Sequence, residues 1–105
     1  MIKAIKNLFS FGPPTDYREL ITKGAIVVDV RSKAEYAGGH IKGSINIPLD
    51  QLDNNLGRFK DKETHIVTCC ASGIRSASAK NILKGKGFTN VYNGGGWQSL
   101  SSKLK

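Results

Sequence analysis

Apolar and polar positions alternate in blocks along this chain, and the blocks predict strands and helices in turn. Residues 25–29 form a continuous apolar run of strand length, typical of a buried parallel strand, and residues 65–69 form a second strand that ends in a cysteine. Short alternating runs predict strands at 44–47 and 90–93. Helical spacing predicts helices over 16–23, from residue 33, over 49–56, over 76–86 and over 97–104.

Capping signals support these boundaries. Thr15 or Asp16 can cap the first helix, Ser32 with Glu35 fits a capping box, and Asp50 is the candidate cap of the helix over 49–56. Strands that alternate with helices at this spacing predict an α/β domain with a mainly parallel sheet. In such sheets ligands bind beyond the carboxyl ends of the strands, where Asp29 and Cys70 are both expected.

Residues 1–14 form a predicted N-terminal amphipathic extension, and residues 15–105 form the main domain. Apolar residues recur in the extension with helical spacing, lysines stand between them, and Gly12, Pro13 and Pro14 end the pattern. Packing on its own domain is the first interpretation, and a partner face or a membrane-surface anchor are alternatives. The lysines interrupt any signal-peptide core, so the predicted location is the cytoplasm.

The formal charge of +8 raises the question of nucleic-acid binding. The lysines are scattered from Lys3 to Lys105, and no arginine cluster alternates with aromatic residues, so no nucleic-acid partner is predicted. Membrane insertion is not expected either, because no stretch approaches the length of a spanning helix. The charge instead favours capture of small anionic substrates.

Candidate chemistry concentrates where the strand at 65–69 meets the helix at 76–86. A strand, a tight loop and a helix in that order make an anion site, because backbone N–H groups and the helix dipole point into the bend. A cysteine there is placed to ionise. Making a thiol of pKa about 8.5 mostly thiolate takes about 2.7 kcal/mol, and a helix dipole supplies only about 0.3–1 kcal/mol. Amide hydrogen bonds and Arg75 must contribute the rest.

Four segments in order resemble the rhodanese-like (sulfurtransferase) family. The sequence Cys70-Ala71-Ser72-Gly73-Ile74-Arg75-Ser76 is similar to the family's C-x-x-G-x-R-S active-site loop. Residues 26–31 with Glu35 and Tyr36 resemble its D-V-R and E-[YF] elements, and residues 39–48 resemble its G-H-I-x-G-A-x-N-[IL]-P segment. Residues 91–97 resemble the strand and G-G-W that close such domains.

The resemblance implies a three-layer α/β domain with a central, mainly parallel five-stranded sheet flanked by helices. It implies a sulfurtransferase in which the Cys70 thiolate takes a sulfane sulfur from thiosulfate, a persulfide or a polysulfide and passes it to cyanide or a thiol. A protein thiol is a further candidate acceptor. No metal and no organic cofactor is expected. The implied site residues are the nucleophile Cys70, the loop residues Ala71, Ser72, Gly73, Ile74, Arg75 and Ser76, and the supporting residues Asp29, Arg31 and His40.

Two reading frames of the loop compete. Cys70 to Arg75 is C-x4-R, as in sulfurtransferases, whereas Cys69 to Arg75 is C-x5-R, as in cysteine-dependent phosphatases and arsenate reductases. Gly73 lies three residues after Cys70, where both families place their glycine, and this favours the shorter frame. A phosphatase or arsenate reductase remains an alternative, as does a non-catalytic rhodanese-like binding module, although such modules usually lack the cysteine.

Several roles stay open at the level of sequence. Arg75 can hold the anionic donor or brace the loop by pairing with an acid, and Arg31 can pair with Glu35. Cys69 is expected to be buried and inert, with resolution of a persulfide as the alternative. His40 is expected to be a hydrogen-bonded structural residue, and the glycines at 94–96 are expected to form a tight turn beside the loop.

Overall fold

The structure is a computed structural model that describes residues 15–105. Its helices and strands alternate along the chain, as the sequence pattern predicts. In chain order they are α1 (Tyr17–Thr22), β1 (Ile26–Asp29), α2 (Lys33–Ala37), β2 (Ile45–Asn46), a 3-10 segment (Leu49–Arg58), β3 (Ile66–Cys70), α3 (Ile74–Gly85), β4 (Val91–Gly96) and α4 (Trp97–Lys103).

The sheet has the strand order β2-β1-β3-β4, and every neighbouring pair is parallel. Asp29 in β1 pairs with Cys69 in β3, so both strands end at the same edge. Cys70 pairs with Gly96 across an irregularity in β4. The carboxyl edge of the sheet therefore gathers the ends of β1, β3 and β4, as predicted for Asp29 and Cys70.

Each face of the sheet carries its own apolar core, because successive side chains of a strand point to opposite faces. One core packs α3 and the 3-10 segment on the sheet, and its largest fully buried members are Ile47, Leu52, Ile66 and Leu83. The other packs α1 and α4 on the opposite face around Val67 and Leu100. This confirms the three-layer α/β architecture.

The helix starts follow local capping chemistry. The Asp16 carboxylate accepts the Glu19 N–H, and Ser32 with Glu35 forms the predicted capping box. The Asp50 cap was wrong, because the segment over 49–58 is a 3-10 helix preceded by Pro48 and interrupted by a non-helical backbone at Asn55.

The expected five-stranded sheet is corrected to four strands within residues 15–105. The hydrophobic pattern itself predicts only four strands in this range, at 25–29, 44–47, 65–69 and 90–93, and each corresponds to one of the observed strands. The fifth strand was implied by the family resemblance alone. β3 runs from Ile66 to Cys70, one residue further along the chain than predicted, so Cys70 itself is the last strand residue. Helix α3 begins at Ile74, two residues earlier than predicted.

The predicted amphipathic helix of the N-terminal extension lies outside the described residues. Across residues 15–105, no helix combines the length and the apolar character needed to cross a bilayer.

Candidate active site

The candidate site lies where β3 ends and α3 begins. The chain turns sharply between them, and Gly73 caps α3 with a φ of 104°, a left-handed conformation that side chains rarely adopt. A Cβ added at Gly73 would lie 3.4 Å from the Cα atom of Gly95 in β4. That contact distance is an ordinary one, so it is the left-handed backbone that favours a glycine three residues after Cys70.

The Cys70 sulfur lies inside the ring of backbone N–H groups that this turn creates. Sγ accepts the N–H of Gly73 at 3.0 Å and the N–H of Ser76 at 3.3 Å, and it lies 3.4 Å from the Ser76 hydroxyl. Cys70 is only 1% exposed, so the surrounding loop shields the sulfur from bulk water. The groups around the sulfur are those that stabilise a thiolate.

The pKa of the Cys70 thiol lies below its ordinary value, because opposing effects do not cancel. Burial by itself raises this pKa, since it disfavours the charged form. Hydrogen bonds from the Ser76 hydroxyl and from the backbone N–H groups of Ser76, Gly73 and Ser72 favour the thiolate and together outweigh burial. The hydrogen bonds of the loop therefore stabilise the thiolate of Cys70, in the direction that the sequence predicts.

Cys69 has the opposite environment, although it is the adjacent residue. Its side chain points to the other face of the sheet, packs in the core with Val67 and Leu100, and is fully buried. Burial, followed by the nearby Asp29 carboxylate, raises the pKa of the Cys69 thiol to about 12. The prediction of a buried, unreactive Cys69 agrees with this placement.

Arg75 lies in the first turn of α3, and its guanidinium pairs with the Glu35 carboxylate through two hydrogen bonds of 2.8 and 3.0 Å. Glu35 belongs to α2, so this pair ties the loop to the helix that follows β1. The Arg75 hydrogen bond is the main reason that the pKa of Glu35 falls to about 2. The brace interpretation of Arg75 fits this geometry better than direct binding of a donor.

Asp29 and Arg31 form a buried pair next to this brace. Arg31 Nη2 donates to Asp29 Oδ2 at 2.7 Å and to the Gly39 carbonyl at 2.7 Å, and the guanidinium lies 4.7 Å from the ring centre of Trp97. The alternative pairing of Arg31 with the Glu35 side chain is not the one observed, because that carboxylate binds Arg75 and Arg31 donates to the Glu35 carbonyl oxygen instead. Asp29 and Arg31 hold the ends of β1, α2 and α4 together.

His40 stacks on Tyr36 with ring centres 3.7 Å apart, and its Nδ1 lies 2.8 Å from the Tyr36 carbonyl oxygen. Among the side-chain hydrogen bonds of residues 15–105, none joins His40 to the Cys70 loop. This geometry matches the structural role predicted for His40.

The glycines at 94–96 form the end of β4, not the expected turn. Between the pairs Thr68–Asn93 and Cys70–Gly96, one residue of β3 faces two of β4, so β4 carries a bulge. Gly95 has a φ of 81° at this bulge. The bulge brings β4 against the Cys70 loop, since a Cβ added at Gly96 would lie 3.0 Å from the Ala71 carbonyl oxygen.

Two residues of this cluster escaped the sequence analysis. Glu35 was visible as a capping residue, as part of the E-[YF] motif and as a possible partner of Arg31, but not as the acid that binds Arg75, which lies 40 positions away. Asn93 had no signal at all, yet its Oδ1 accepts the Ser76 hydroxyl at 2.6 Å and the Gly95 N–H at 2.9 Å. Both contacts depend on which elements become neighbours in the folded chain.

The rim of the loop is polar on one side and apolar on another. Ala71 and Ser72 are exposed, and the Ile74 side chain is 77% exposed. A cleft of about 360 Å3 adjoins Arg75, and its lining also includes Val30, Pro48 and Leu49.

Within the part of the chain that the structure describes, no group of three or more His, Cys, Asp or Glu residues is placed to hold a metal ion.

The fold and the site together define a class: parallel α/β domains that carry a cysteine in an amide-lined loop at the carboxyl edge of the sheet. Residues 13–103 match the family model described as a rhodanese-like domain. The chain therefore belongs to the rhodanese-like family, as the sequence motifs indicated.

Comparison with individual proteins agrees with this assignment. The uncharacterised protein YqhL of Bacillus subtilis is 37% identical over 83 residues, which cover 77% of this chain and 64% of that protein. The thiosulfate sulfurtransferase PspE of Escherichia coli is 35% identical over 75 residues, covering 70% of this chain and 72% of PspE. The human single-domain sulfurtransferase TSTD1 superposes with a TM-score of 0.75 at 29% identity, covering 90% of this chain and all of TSTD1.

Proposed function

We propose that this protein is a rhodanese-type sulfurtransferase that carries sulfur as a persulfide on Cys70. The observation that supports this most directly is the Cys70 sulfur surrounded by the N–H groups of Gly73 and Ser76, with its pKa lowered. A relative at 35% identity, PspE, is named a thiosulfate sulfurtransferase. A thiolate that is already formed needs no general base to attack sulfur.

The first half-reaction loads the carrier. The Cys70 thiolate attacks the outer sulfur of thiosulfate, an S–S bond forms to Cys70, and the bond between the outer and inner sulfur atoms breaks. The electron pair of that bond leaves with sulfite, so Cys70–S⁻ and S–SO3²⁻ give Cys70–S–S⁻ and SO3²⁻. The negative outer sulfur then lies at the mouth of the amide-lined loop, where N–H donors stabilise it.

The second half-reaction discharges the carrier. A nucleophile such as cyanide attacks the outer sulfur and the Cys70 thiolate leaves, so Cys70–S–S⁻ and CN⁻ give Cys70–S⁻ and SCN⁻. A small thiol or a protein thiol is an alternative acceptor. The Cys70 persulfide formed in the first half-reaction is the reactant of the second. Because the first product leaves before the acceptor reacts, ping-pong kinetics follow.

The physiological donor is proposed to be a persulfide or polysulfide as well as thiosulfate. The loop side chains of Ala71, Ser72 and Ile74 offer no cation, and the Arg75 guanidinium is held by Glu35, so an anionic donor meets mainly backbone N–H groups. The cytoplasm is the proposed location, because its reducing conditions suit an active thiol.

The shorter reading frame supports sulfur transfer over phosphatase or arsenate chemistry. The loop N–H groups converge on Cys70 and not on Cys69, whose side chain points to the other face of the sheet. The C-x5-R frame would need the Cys69 sulfur at the centre of the loop.

The first test is intact-mass spectrometry of the reduced protein after incubation with thiosulfate or glutathione persulfide. We expect the wild type to gain one sulfur atom and to lose it again on addition of cyanide, with release of thiocyanate. Cys70→Ser should gain none, because no thiolate remains at the loop.

Cys69→Ala is the matched control, since it removes the neighbouring thiol and leaves Cys70 in place. It should load and discharge like the wild type. Loading that persists in Cys70→Ser or disappears in Cys69→Ala would overturn the assignment of Cys70 as carrier. No loading of the wild type by either donor would leave the binding-module and phosphatase alternatives, which a phosphatase assay separates.

A further inference from the structure

The Asn93 side chain in β4 makes three hydrogen bonds, two of them to the candidate loop and the first turn of α3 and one within β4. Its Oδ1 accepts the Ser76 hydroxyl at 2.6 Å and the Gly95 N–H at 2.9 Å, and its Nδ2 lies 3.4 Å from the Gly73 carbonyl oxygen as a donor. The bond from Gly95 fixes the amide orientation, because a backbone N–H must meet the oxygen and not the NH2 group. Oδ1 therefore faces Ser76 as an acceptor only.

The Ser76 hydroxyl has one proton and three neighbours that compete for it. Asn93 Oδ1 at 2.6 Å and the Gly73 carbonyl at 3.0 Å can only accept. The Cys70 sulfur at 3.4 Å can donate as a thiol or accept as a thiolate. The shortest contact is the one to Asn93, and it leaves an oxygen lone pair facing Cys70.

The Ser76 hydroxyl therefore serves the thiol and the thiolate unequally, although the loop as a whole lowers the Cys70 pKa. When Cys70 is protonated, its S–H donates to the Ser76 oxygen while the Ser76 proton binds Asn93, and every group is satisfied. When Cys70 ionises, the same lone pair faces a negative sulfur unless the hydroxyl turns and gives up its bond to Asn93.

We propose that Asn93 is a positioning residue that competes with the Cys70 sulfur for the Ser76 hydroxyl proton. Asn93 acts through Ser76 and does not touch the sulfur. By competing for the proton, it weakens the hydrogen bond that the Ser76 hydroxyl gives the thiolate, and a less stabilised thiolate is a stronger nucleophile.

One consequence rests on the proposed function. Cys70 is the nucleophile when Cys70–S⁻ takes sulfur from thiosulfate and releases sulfite, and it is the leaving group when Cys70–S–S⁻ gives sulfur to cyanide and releases thiocyanate. Nucleophilicity falls with a falling thiol pKa, whereas departure becomes faster. Once Cys70 is ionised, Asn93 therefore favours loading at the expense of discharge.

The primary test measures the Cys70 pKa from the pH dependence of alkylation by iodoacetamide, which requires no sulfur transfer. Asn93→Ala frees the Ser76 proton for the thiolate, so we expect the Cys70 pKa to fall by about half to one pH unit. Asn93→Asp keeps the acceptor oxygens and adds a negative charge, so it should raise the pKa. Asn90→Ala, at the residue just before β4, is the matched control and should leave the Cys70 pKa unchanged.

A double-mutant cycle separates this role from a general structural one. In a Ser76→Ala background the hydroxyl is gone, and Asn93→Ala should no longer lower the Cys70 pKa. A pKa that Asn93→Ala leaves unchanged or raises in the wild-type background would overturn the proposal. A lowering of equal size in both backgrounds would overturn it as well, because Asn93 would then act by another route.

Asn93→Asp keeps the proposal testable if the alanine variant does not fold, because its carboxylate still accepts the Gly95 N–H and the Ser76 hydroxyl. The pKa of Asn93→Asp must then rise, and it must rise less in the Ser76→Ala background. An unchanged or lowered pKa contradicts the competition for the proton.

Stopped-flow measurement of each half-reaction extends the test to sulfur transfer. At a pH well above the Cys70 pKa, where Cys70 is ionised in both proteins, a fall of one pH unit in pKa should make Asn93→Ala load sulfur about threefold more slowly and discharge it faster. The two proposals fail separately. Absence of loading in the wild type contradicts the sulfurtransferase assignment alone, whereas loading in the wild type with no pKa change in Asn93→Ala contradicts only the role of Asn93.

Discussion

At the residue scale, Cys69 and Cys70 carry the same side chain and have opposite chemistry. Because successive side chains of a strand point to opposite faces, Cys69 lies in an apolar core, where its pKa rises to about 12. The Cys70 side chain, on the opposite face, lies among N–H donors, where its pKa falls. The donors come from the turn at Gly73 and from α3, so the reactivity proposed for Cys70 depends on the backbone around it more than on the residue type.

The pair between Glu35 and Arg75 gives a prediction at the same scale. Both side chains are 38% exposed, so we expect Glu35→Gln to lower the melting temperature by less than about 5 °C at neutral pH. The folded-state pKa of Glu35, about 2, lies below its unfolded value. The stabilisation is therefore present above about pH 4.3 and is lost as the pH falls toward 2.

Thermal unfolding of Glu35→Gln and the wild type at pH 7 and pH 2.5 checks this. The difference between them at pH 7 should shrink at the lower pH. Glu19→Gln, which removes an exposed pair with Lys23 inside α1, is the control and should have a smaller effect at pH 7. A difference that persists unchanged at low pH would contradict the role of the charged pair.

At the element scale, the bulge at the end of β4 places the strand against the loop that holds Cys70. Gly94 is buried at this bulge, and a Cβ there would lie 2.9 Å from Leu100, from Val67 and from the Thr68 carbonyl oxygen. The backbone oxygen cannot move aside without disturbing β3. The three consecutive glycines are thus explained by crowding and a bulge, where the sequence pattern had indicated a turn.

Gly94→Ala should therefore destabilise the fold by about 1–3 kcal/mol, the usual cost of an overpacked core. Gly85→Ala is the matched control, because Gly85 is the last residue of α3 and a Cβ there meets nothing within 4 Å. It should stabilise the fold by up to about 1 kcal/mol, since alanine is the better helix former. Urea unfolding measures both, and a Gly94→Ala protein as stable as the wild type would show that β4 is not crowded there.

At the scale of the whole molecule, the charge of +8 acts on any anion that approaches the loop. A positive field raises the local concentration of anionic reactants, and salt screens it within about 8–10 Å. Because Arg75 is already paired, this field and the backbone N–H groups carry the attraction for an anionic donor.

This predicts a salt-dependent preference for anionic reagents at Cys70. The rate of alkylation by iodoacetate relative to neutral iodoacetamide should fall about twofold or more when NaCl rises from about 20 to about 200 mM. The neutral reagent corrects for any effect of salt on the thiol pKa. A ratio that does not change with salt would mean that the scattered lysines create no useful field at the loop.

The sequence by itself determined the order of the strands and helices and the position of Cys70, the proposed nucleophile. Hydrophobic periodicity predicted the four strands seen in residues 15–105, and the capping box of Ser32 and Glu35 predicted the start of α2. Both signals come from residues only a few positions apart. The spacing from Cys70 to Gly73 and Arg75 predicted the loop for the same reason. These patterns reflect local conformational preferences, so they can be recognised without knowing which elements pack together.

Only the tertiary structure decided how the loop is held. Glu35 meets Arg75 across 40 positions, and Asn93 meets Ser76 across 17, because the order β2-β1-β3-β4 makes their elements neighbours. A one-residue bulge in β4 then sets the distance between the strand and the loop. Strand order and register arise from packing both faces of the sheet at once, and no local pattern encodes such long-range contacts.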